Sequence, residues 1–402
     1  MAELPPPLTV LCLASEVKGQ DFIRECRRLG CRVILVTRQS LASGDWPREA
    51  LAETFYLPSL TQRDELVKGV SYLARTRVID RIVALDDFDV EQAAALREHL
   101  RVPGLGATRA HYFRDKLAMR VLADESGILV PDFVHVLNDD RLRQYMQAVP
   151  PPWFLKPRSE GSAAGIKKIN ESAALWRHLD EIGDRRSWFV LERYVAGDVY
   201  HVDAIVSERE VVFAAVSRYG QPPFDVMHSG GVFTTRTLPD DSPDARALLT
   251  LNREVLDTLG FVRGVAHTEF IRGRDDGRDY FLETASRVGG AHIVELVEAA
   301  TGVNLWIEWA KIEVSHGKAP YSAPARRQDH AAIIVSLARQ EWPDTSTYTD
   351  PEIVWRLNKR SHIGLIVASA DAERVKTLLA DYERRVHADF FASQPGLERL
   401  PR

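Results

Sequence analysis

Two glutamates and an arginine in the second half of the chain have the types and spacing to do chemistry together. Glu269 lies in HTEFI and Glu283 in FLETAS, 14 residues apart, with the polar stretch RGRDDG between them. That stretch is turn-like, so the pattern predicts a hairpin with one carboxylate on each strand, side by side. Two carboxylates with oxygen ligands nearby and no His or Cys suit a hard cation, Mg²⁺ or Mn²⁺, of the kind that sits on a nucleotide's phosphates. Arg287 follows in SRVGG, ahead of Gly289 and Gly290. A guanidinium there can stabilise charge on a transferring phosphoryl group or on a carboxylate substrate. The alternative is an exposed hairpin edge whose charges are simply solvated.

Two further stretches point to a nucleotide. WFLKP reads as a short strand ending in Lys156, and RSEGSAAG after it holds Ser159, Gly161, Ser162 and Gly165. Successive backbone N–H groups in such a loop can cradle phosphate oxygens. It has no GxxxxGK[ST], so it is not a Walker A loop, and an ordinary hairpin turn is the alternative. FVLERYVAGD places Glu192, Tyr194 and Val195 on a strand leading to Gly197 and Asp198. Backbone groups there can bond an adenine edge, Glu192 its amino group and Asp198 a ribose hydroxyl. The alternative is an amphipathic strand with an exposed acid. In ALDDFDVE the acids either face the cleft and recognise a cationic amine or cap the following helix at Asp89. The capping reading is preferred.

These residues need a scaffold, and the pattern of the chain supplies one. LTVLCLAS is a continuous apolar run, as expected of a parallel strand buried on both faces. GQDFIRECRRLG has helical spacing and CRVILVT is a second strand, which together make a βαβ unit. LVKGVSYLARTR and IDRIVALDD add a helix and a strand, so residues 1–104 read as a doubly wound α/β domain. No GxGxxG follows the first strand, so no dinucleotide site is assigned. Pro103-Gly104 marks a boundary. Beyond it the pattern predicts one helix over 109–127, strands at 131–137, 153–157 and 187–195, and a helix over 171–183. Two strands joined at Ser207–Glu210 follow, then a long loop over 228–241, a helix over 244–259 and the hairpin. Helix IVELVEAATG, strand AAIIVSLA and a final βα pair complete the chain.

Composition narrows the class. The 402 residues are 45% hydrophobic and 27% charged, ordinary for a soluble globular protein of two to four domains. The net charge of −5 gives no electrostatic case for nucleic acid or an anionic membrane. The N-terminal apolar run is too short to span a bilayer, and no signal peptide is read. Cys12, Cys26 and Cys31 lie inside the βαβ pattern rather than at metal spacing, which fits a reducing cytoplasm.

The order of the pieces resembles the ATP-grasp superfamily, in the branch of biotin carboxylase, carbamoyl phosphate synthetase and the L-amino-acid ligases. The resemblance runs from about residue 8 to the end. It implies an α/β and α+β protein. A doubly wound domain (1–104) precedes an ATP-grasp domain (105–320) whose two α+β subdomains clamp the nucleotide, with a lid at about 130–197. A C-terminal α/β portion (321–402) completes the ligase. By resemblance, Lys116 in FRDKLAMR and Lys156 are the nucleotide-phosphate lysines and Ser159–Gly165 the loop covering the phosphates. Glu192 and Val195 belong to the adenine linker. Glu269 and Glu283 are the metal carboxylates, and Arg287 stabilises the acyl phosphate. Arg218, His228, Ser229 and Gly230 lie where this branch places substrate contacts, with Gly289, Gly290 and His292 near the phosphoryl site. Arg218 either holds a carboxylate or is a surface arginine; His228 is either a base or a solvated histidine.

The implied reaction uses ATP and Mg²⁺ (or Mn²⁺) to activate a carboxylate as an acyl phosphate, which an amine then displaces. Lys116 and Arg287 carry the catalysis. Small-molecule carboxylate and amine substrates are the implied partners, with a homodimer by resemblance only. A biotin-carboxylase-like carboxylation and a catalytically silent ATP-binding protein are the alternatives. The chain departs from the family pattern twice. Ala285 stands where an Asn usually helps hold a metal, and Val199 stands where the ribose-contacting acid is usual, with Asp198 one residue early.

Overall fold

The computed structural model describes residues 7–161, 163–315 and 321–392. The chain opens with β1 (Thr9–Ala14), α1 (Gln20–Arg28), β2 (Arg32–Arg38), β3 (Glu53–Leu57), α2 (Arg63–Ala74), β4 (Arg81–Ala84) and α3 (Val90–Leu100). The four strands form a parallel sheet in the order β3-β2-β1-β4. Every residue of β1 is buried because the strand feeds two cores. Val10, Cys12 and Ala14 pack on the α1 side, Leu11 and Leu13 on the α2–α3 side. Burial pushes the Cys12 and Cys26 thiols up, so both behave as small apolar side chains.

Then come α4 (Ala107–His111), α5 (Lys116–Glu125), β5 (Phe133–His135), α6 (Asp139–Ala148), β6 (Trp153–Pro157), β7 (Lys167–Ile169), α7 (Ser172–Ile182) and β8 (Phe189–Arg193). The single helix expected over 109–127 is therefore two. Asp115 breaks it: its carboxylate caps α5 by accepting from the Ala118 N–H at 2.9 Å. Strands β5-β8-β6-β7 form a small antiparallel sheet. Trp153 and Leu155 face its helical side, packing with Leu175 and Leu179 of α7. The alternate residues Phe154 and Lys156 line the cavity on the other side.

The remainder is β9 (Gly197–Ser207), β10 (Glu210–Tyr219), α8 (Pro223–Ser229), β11 (Phe233–Thr237), α9 (Pro243–Thr258), β12 (Gly264–Gly273), β13 (Asp279–Ala285), α10 (Ile293–Thr301), α11 (Leu305–Ser315), β14 (His330–Leu337), β15 (Ile353–Arg356), β16 (His362–Ser369) and α12 (Ala372–Asp389). All eight strands join one antiparallel sheet, β13-β12-β9-β10-β11-β14-β16-β15. The segment 228–241, expected as a loop, contains the end of α8 and all of β11. Its two glycines, Gly230 and Gly231, hid a threonine-rich strand that forms between β10 and β14. The mixed α/β and α+β class expected from the sequence is present.

The parallel domain is fixed to the large sheet through α1 and α11. Phe22 and Trp309 meet edge to face at 5.2 Å, and the Arg81 Nε donates to the Glu313 carbonyl at 2.9 Å. Among the described residues no helix is long and apolar enough to cross a membrane. At the start of β9, Gly197 pairs with Gly273, and a Cβ there would sit 1.9 Å from the Arg272 carbonyl oxygen. Gly197→Ala must push the β9 and β12 backbones apart. A loss of about 1–3 kcal/mol of stability is expected, as for other overpacked sites, read as a lower urea midpoint.

Candidate active site

A cavity of about 510 Å³ lies between the small sheet and the large one. Lys116, Lys156, Glu269, Glu283 and Arg287 all line it. Each is placed by a separate local cause. Lys116 opens α5, and its backbone N–H donates to the Arg158 carbonyl at 2.8 Å. Its ammonium bonds the Glu160 carbonyl at 2.6 Å and the Glu283 carboxylate at 2.8 Å. Arg120 stands one helical turn further along the same face of α5. It is fully buried and reaches Glu192 at 3.0 Å, while Lys156 reaches the same carboxylate at 2.7 Å. Burial pushes the Glu192 carboxyl up, but the two cations overcome this and hold it at about 2. Glu192 is thus a paired anion beneath the cavity wall. Its partner Arg120 was not picked out from the sequence, because 72 residues separate them.

Glu269 and Glu283 are register partners across β12 and β13. Glu269 accepts from the Tyr219 hydroxyl at 2.8 Å and lies 3.6 Å from His267 Nε2. Burial pushes its carboxyl up, and His267 and Tyr219 bring it below the usual range. His267 bonds Asp203 at 2.8 Å, and Asp203 bonds His201 at 2.7 Å. Burial alone would push the His267 imidazole down, but Asp203 and Glu269 raise it to about 9, so it stays protonated at neutral pH. The His201–Asp203–His267 cluster was missed in the sequence. Its signal was there: His201 and Asp203 stand two apart in YHVD, and His267 stands two from Glu269 in HTE, which on a strand means one face. Ala285, where an amide was expected, pairs across the sheet with His267. The two carboxylates offer oxygen ligands alone and fit a hard cation that completes its shell with phosphate oxygens and water.

Arg287 donates to the Val288 carbonyl at 2.7 Å, and its Nε lies 3.6 Å from Asp87 Oδ1. Asp87 also takes Arg114, which in turn bonds the Ser159 carbonyl. Burial pushes the Asp87 carboxyl up, while Arg114, Arg287, Lys116 and Lys18 draw it below its usual value. The ALDDFDVE acids therefore divide. Asp86 caps the turn over residues 87–89 and pairs with Lys18, and Asp87 faces the arginines. Asp89 stands at the N-cap position of α3, but its side chain does not cap the helix as expected. Its side chain is spent on the Ser15 backbone N–H at 2.6 Å, and burial raises it to about 7 despite that bond.

The other expected residues separate by strand alternation. Tyr194, Val195 and Val199 line the cavity, whereas Asp198 does not. Asp198 projects from the opposite face of β9 and pairs with Arg218 at 2.8 Å. Neither lines the cavity, where the ribose and substrate contacts were expected, because odd and even positions of a strand face opposite ways. His228 is exposed, stacks on Phe224 at 4.1 Å and bonds the Phe224 carbonyl; it does not line the cavity. Gly230 lines it, and the backbone of Ser229 ends α8 beside it. Gly290 lines it too, but Gly289 is a packing residue: a Cβ there would lie 2.9 Å from Asp203 Oδ1. In the loop after β6, Glu160, Ala163 and Ala164 line the cavity beside Ser159, Gly161 and Gly165, while Ser162 lies outside the described residues. His292 bonds Glu295 and meets Trp355 of β15 at a tilt, with ring centroids 4.8 Å apart.

The Glu192 pair makes a test. A carboxyl held low by its partners adds stability above its unfolded value near 4.5, and this is lost as pH falls through about 2. Glu192→Gln leaves two buried cations unpaired, at a cost of about 3–5 kcal/mol at neutral pH. The gap in urea midpoint between native and variant proteins should narrow steadily between pH 4.5 and 2. A gap independent of pH would refute the ion triad.

Known proteins match this chain in sequence and in fold. The ATP-grasp N-terminal domain family model matches residues 23–104. An L-arginine-specific L-amino acid ligase of Bacillus subtilis is 24% identical over 241 residues, 58% of each chain. A D-alanine–D-alanine ligase of Dechloromonas aromatica is 23% identical over 194 residues, 48% of this chain and 63% of its own. The chain thus spans about three fifths of the length of these curated relatives. The L-amino acid ligase structure from Bacillus licheniformis has a TM-score of 0.75 at 17% identity, covering 96% of this chain and 99% of that one. The ADP complex of N5-carboxyaminoimidazole synthetase from Staphylococcus aureus scores 0.72 at 15% identity, covering 95% and 98%. The biotin carboxylase domain dimer of Hydrogenobacter thermophilus 2-oxoglutarate carboxylase, with MgADP, scores 0.68 at 15% identity, covering 95% and 90%. With these likenesses over nearly its whole length, the chain has the fold of these enzymes, and residues 23–104 match the ATP-grasp N-terminal domain.

Proposed function

We propose that the protein is an ATP-dependent carboxylate–amine ligase acting on amino-acid or peptide-like substrates. The observation that carries this is the convergence of Lys116, Lys156, Glu269, Glu283 and Arg287 on one cavity from four separate elements and the segment after β13. The relatives named as ligases and the neighbours holding ADP support it. A carboxylate is a poor electrophile, and phosphorylation supplies a leaving group. A substrate carboxylate oxygen attacks the γ-phosphorus of ATP, and the bond to the ADP oxygen breaks. The amine then attacks the acyl carbon, phosphate departs, the amine loses a proton, and an amide remains.

Each residue has a part in this scheme. Lys116 and Lys156 neutralise the nucleotide's phosphates, Lys116 being free to exchange Glu283 for phosphate oxygen. The loop Ser159–Gly165 covers the phosphates, and the linker at Glu192–Val195 holds the base, with Tyr194 at its side. Arg287, steadied by Asp87, compensates charge on the transferring phosphoryl group. Glu269 and Glu283 would hold Mg²⁺, which supplies charge neutralisation on the phosphates when bound. Gly230 and Gly290 border the substrate's part of the cavity. We place the protein in the cytoplasm. A homodimer is supported by the biotin carboxylase domain of the same fold, which is a dimer.

Incubation with ATP, Mg²⁺ and pairs from an amino-acid panel should release ADP and phosphate in equal amounts, and chelation of the metal should stop it. No ADP from any pair, in a folded sample that binds ATP, would sink the proposal. Glu283→Ala should abolish turnover. Arg287→Met should lower kcat by about 10²–10³-fold, the range for removing one preorganised donor.

A further inference from the structure

The cavity continues past the charged groups into a compartment that the reaction chemistry leaves unassigned. After Arg287 the chain crosses the face of the large sheet. Gly289 rests against Asp203 of β9, Ala291 lines the cavity, and the His292 ring packs at a tilt against Trp355 of β15. Ala291 and His292 hold φ of 50° and 63° in succession, left-handed conformations that persist where the surroundings impose them. Beyond Ala291 the cavity wall is Phe233 of β11, Val335 and Leu337 of β14, and Phe391 after α12.

Among the described residues this wall carries no lysine, arginine or carboxylate. The lysines, arginines and carboxylates that line the cavity come from α5, the small sheet and its loop, α8, and β12 through Arg287. The polar side chains on this side are Ser336 and His362. The Ser336 hydroxyl donates to the Leu337 carbonyl at 3.0 Å, and His362 Nδ1 donates to the Arg360 carbonyl at 2.8 Å. Phe391 is not a loose end. The Ala392 N–H donates to the Leu337 carbonyl at 3.1 Å, the Arg339 N–H to the Phe390 carbonyl at 2.9 Å, and Gln340 Nε2 to the Asp389 carbonyl at 3.0 Å. These bonds clamp the chain after α12 onto the end of β14.

We propose that this compartment receives the side chain of the carboxylate substrate, that the substrate is an amino acid with an apolar side chain, and that Phe391 limits its size. The inference rests on the ligase reading. A carboxylate placed for phosphorylation beside Arg287 has the nucleotide on one side, so its substituent extends along the crossing segment toward Val335 and Phe391. A charged side chain there would lose its hydration with no partner in return. A leucine, methionine or phenylalanine side chain would bury apolar surface instead.

Hydroxylamine in place of the amine isolates this half-reaction, because it attacks the acyl phosphate and leaves a hydroxamate, whichever amine the enzyme normally uses. With the full chain, ATP and Mg²⁺, kcat/KM for hydroxamate formation should be about ten-fold or more higher for Leu, Met or Phe than for Asp, Glu or Lys. Phe391→Ala should move the preference toward Phe and Trp. Val335→Asp should raise KM for the apolar acids about ten-fold or more while leaving KM for ATP unchanged. If hydroxamate forms best with charged acids, or the ranking is the same in native protein and Phe391→Ala, the compartment is misassigned while the ligase reading stands. If no acid yields hydroxamate or ADP in protein that binds ATP, the ligase reading falls and this inference with it.

Discussion

Buried charge is the constraint on which the rest of this structure depends. The cavity wall gathers acids and bases that water cannot reach freely, and an unpaired ion there costs several kcal/mol. The carboxylates at the site therefore have close partners: Glu192 has Arg120 and Lys156, Asp87 has Arg114 and Arg287, and Asp203 has the imidazoles of His201 and His267. Glu283, half-buried, takes Lys116. The partners come from different elements, so the same bonds that neutralise the site also assemble it. Helix α5 is tied to the small sheet through Glu192 and to the large sheet through Glu283. The parallel domain is tied to the segment after β13 through Asp87.

This arrangement makes the site responsive to what enters it. Glu269 and Glu283 are partly compensated by His267 and Lys116, groups that a cation and a polyphosphate can replace. Glu192 is different: it is fully buried and has two cations, Arg120 and Lys156, against it. The division follows from depth: Glu192 is fully buried and Glu283 is not.

The eight-stranded sheet carries the second division. Its cavity face bears His201, Asp203, Tyr219, His267 and Glu269 toward β12, and Phe233, Val335 and Leu337 toward β14. One continuous surface thus changes from ionic to apolar along its width. The strand at residues 233–237 is the seam between them, held on one side by β10 and on the other by β14. Under the proposed reaction the ionic part does the chemistry and the apolar part selects what is presented to it.

Much of this was legible from residue types alone. The apolar run at 9–14 required a doubly covered strand, and HTEFI and FLETAS around a polar turn required a hairpin with Glu269 opposite Glu283. Lys156 at a strand end before a small-residue loop, and Arg287 beside two glycines, followed from local pattern as well. What the sequence determined was therefore period, turn and local charge, because these depend on neighbours a few residues away. Only the tertiary structure decided where long side chains end. It joined Arg120 to Glu192 and Asp87 to Arg287, turned Asp198 and Arg218 to the outer face to pair with each other, and spent Asp89 on Ser15. It also made a strand of residues 233–237, although the glycines just before it argued for a loop, and brought Phe391 to the cavity. Those outcomes are set by which elements meet and by the cost of leaving a buried charge or backbone group unpaired, and a linear pattern does not contain that information.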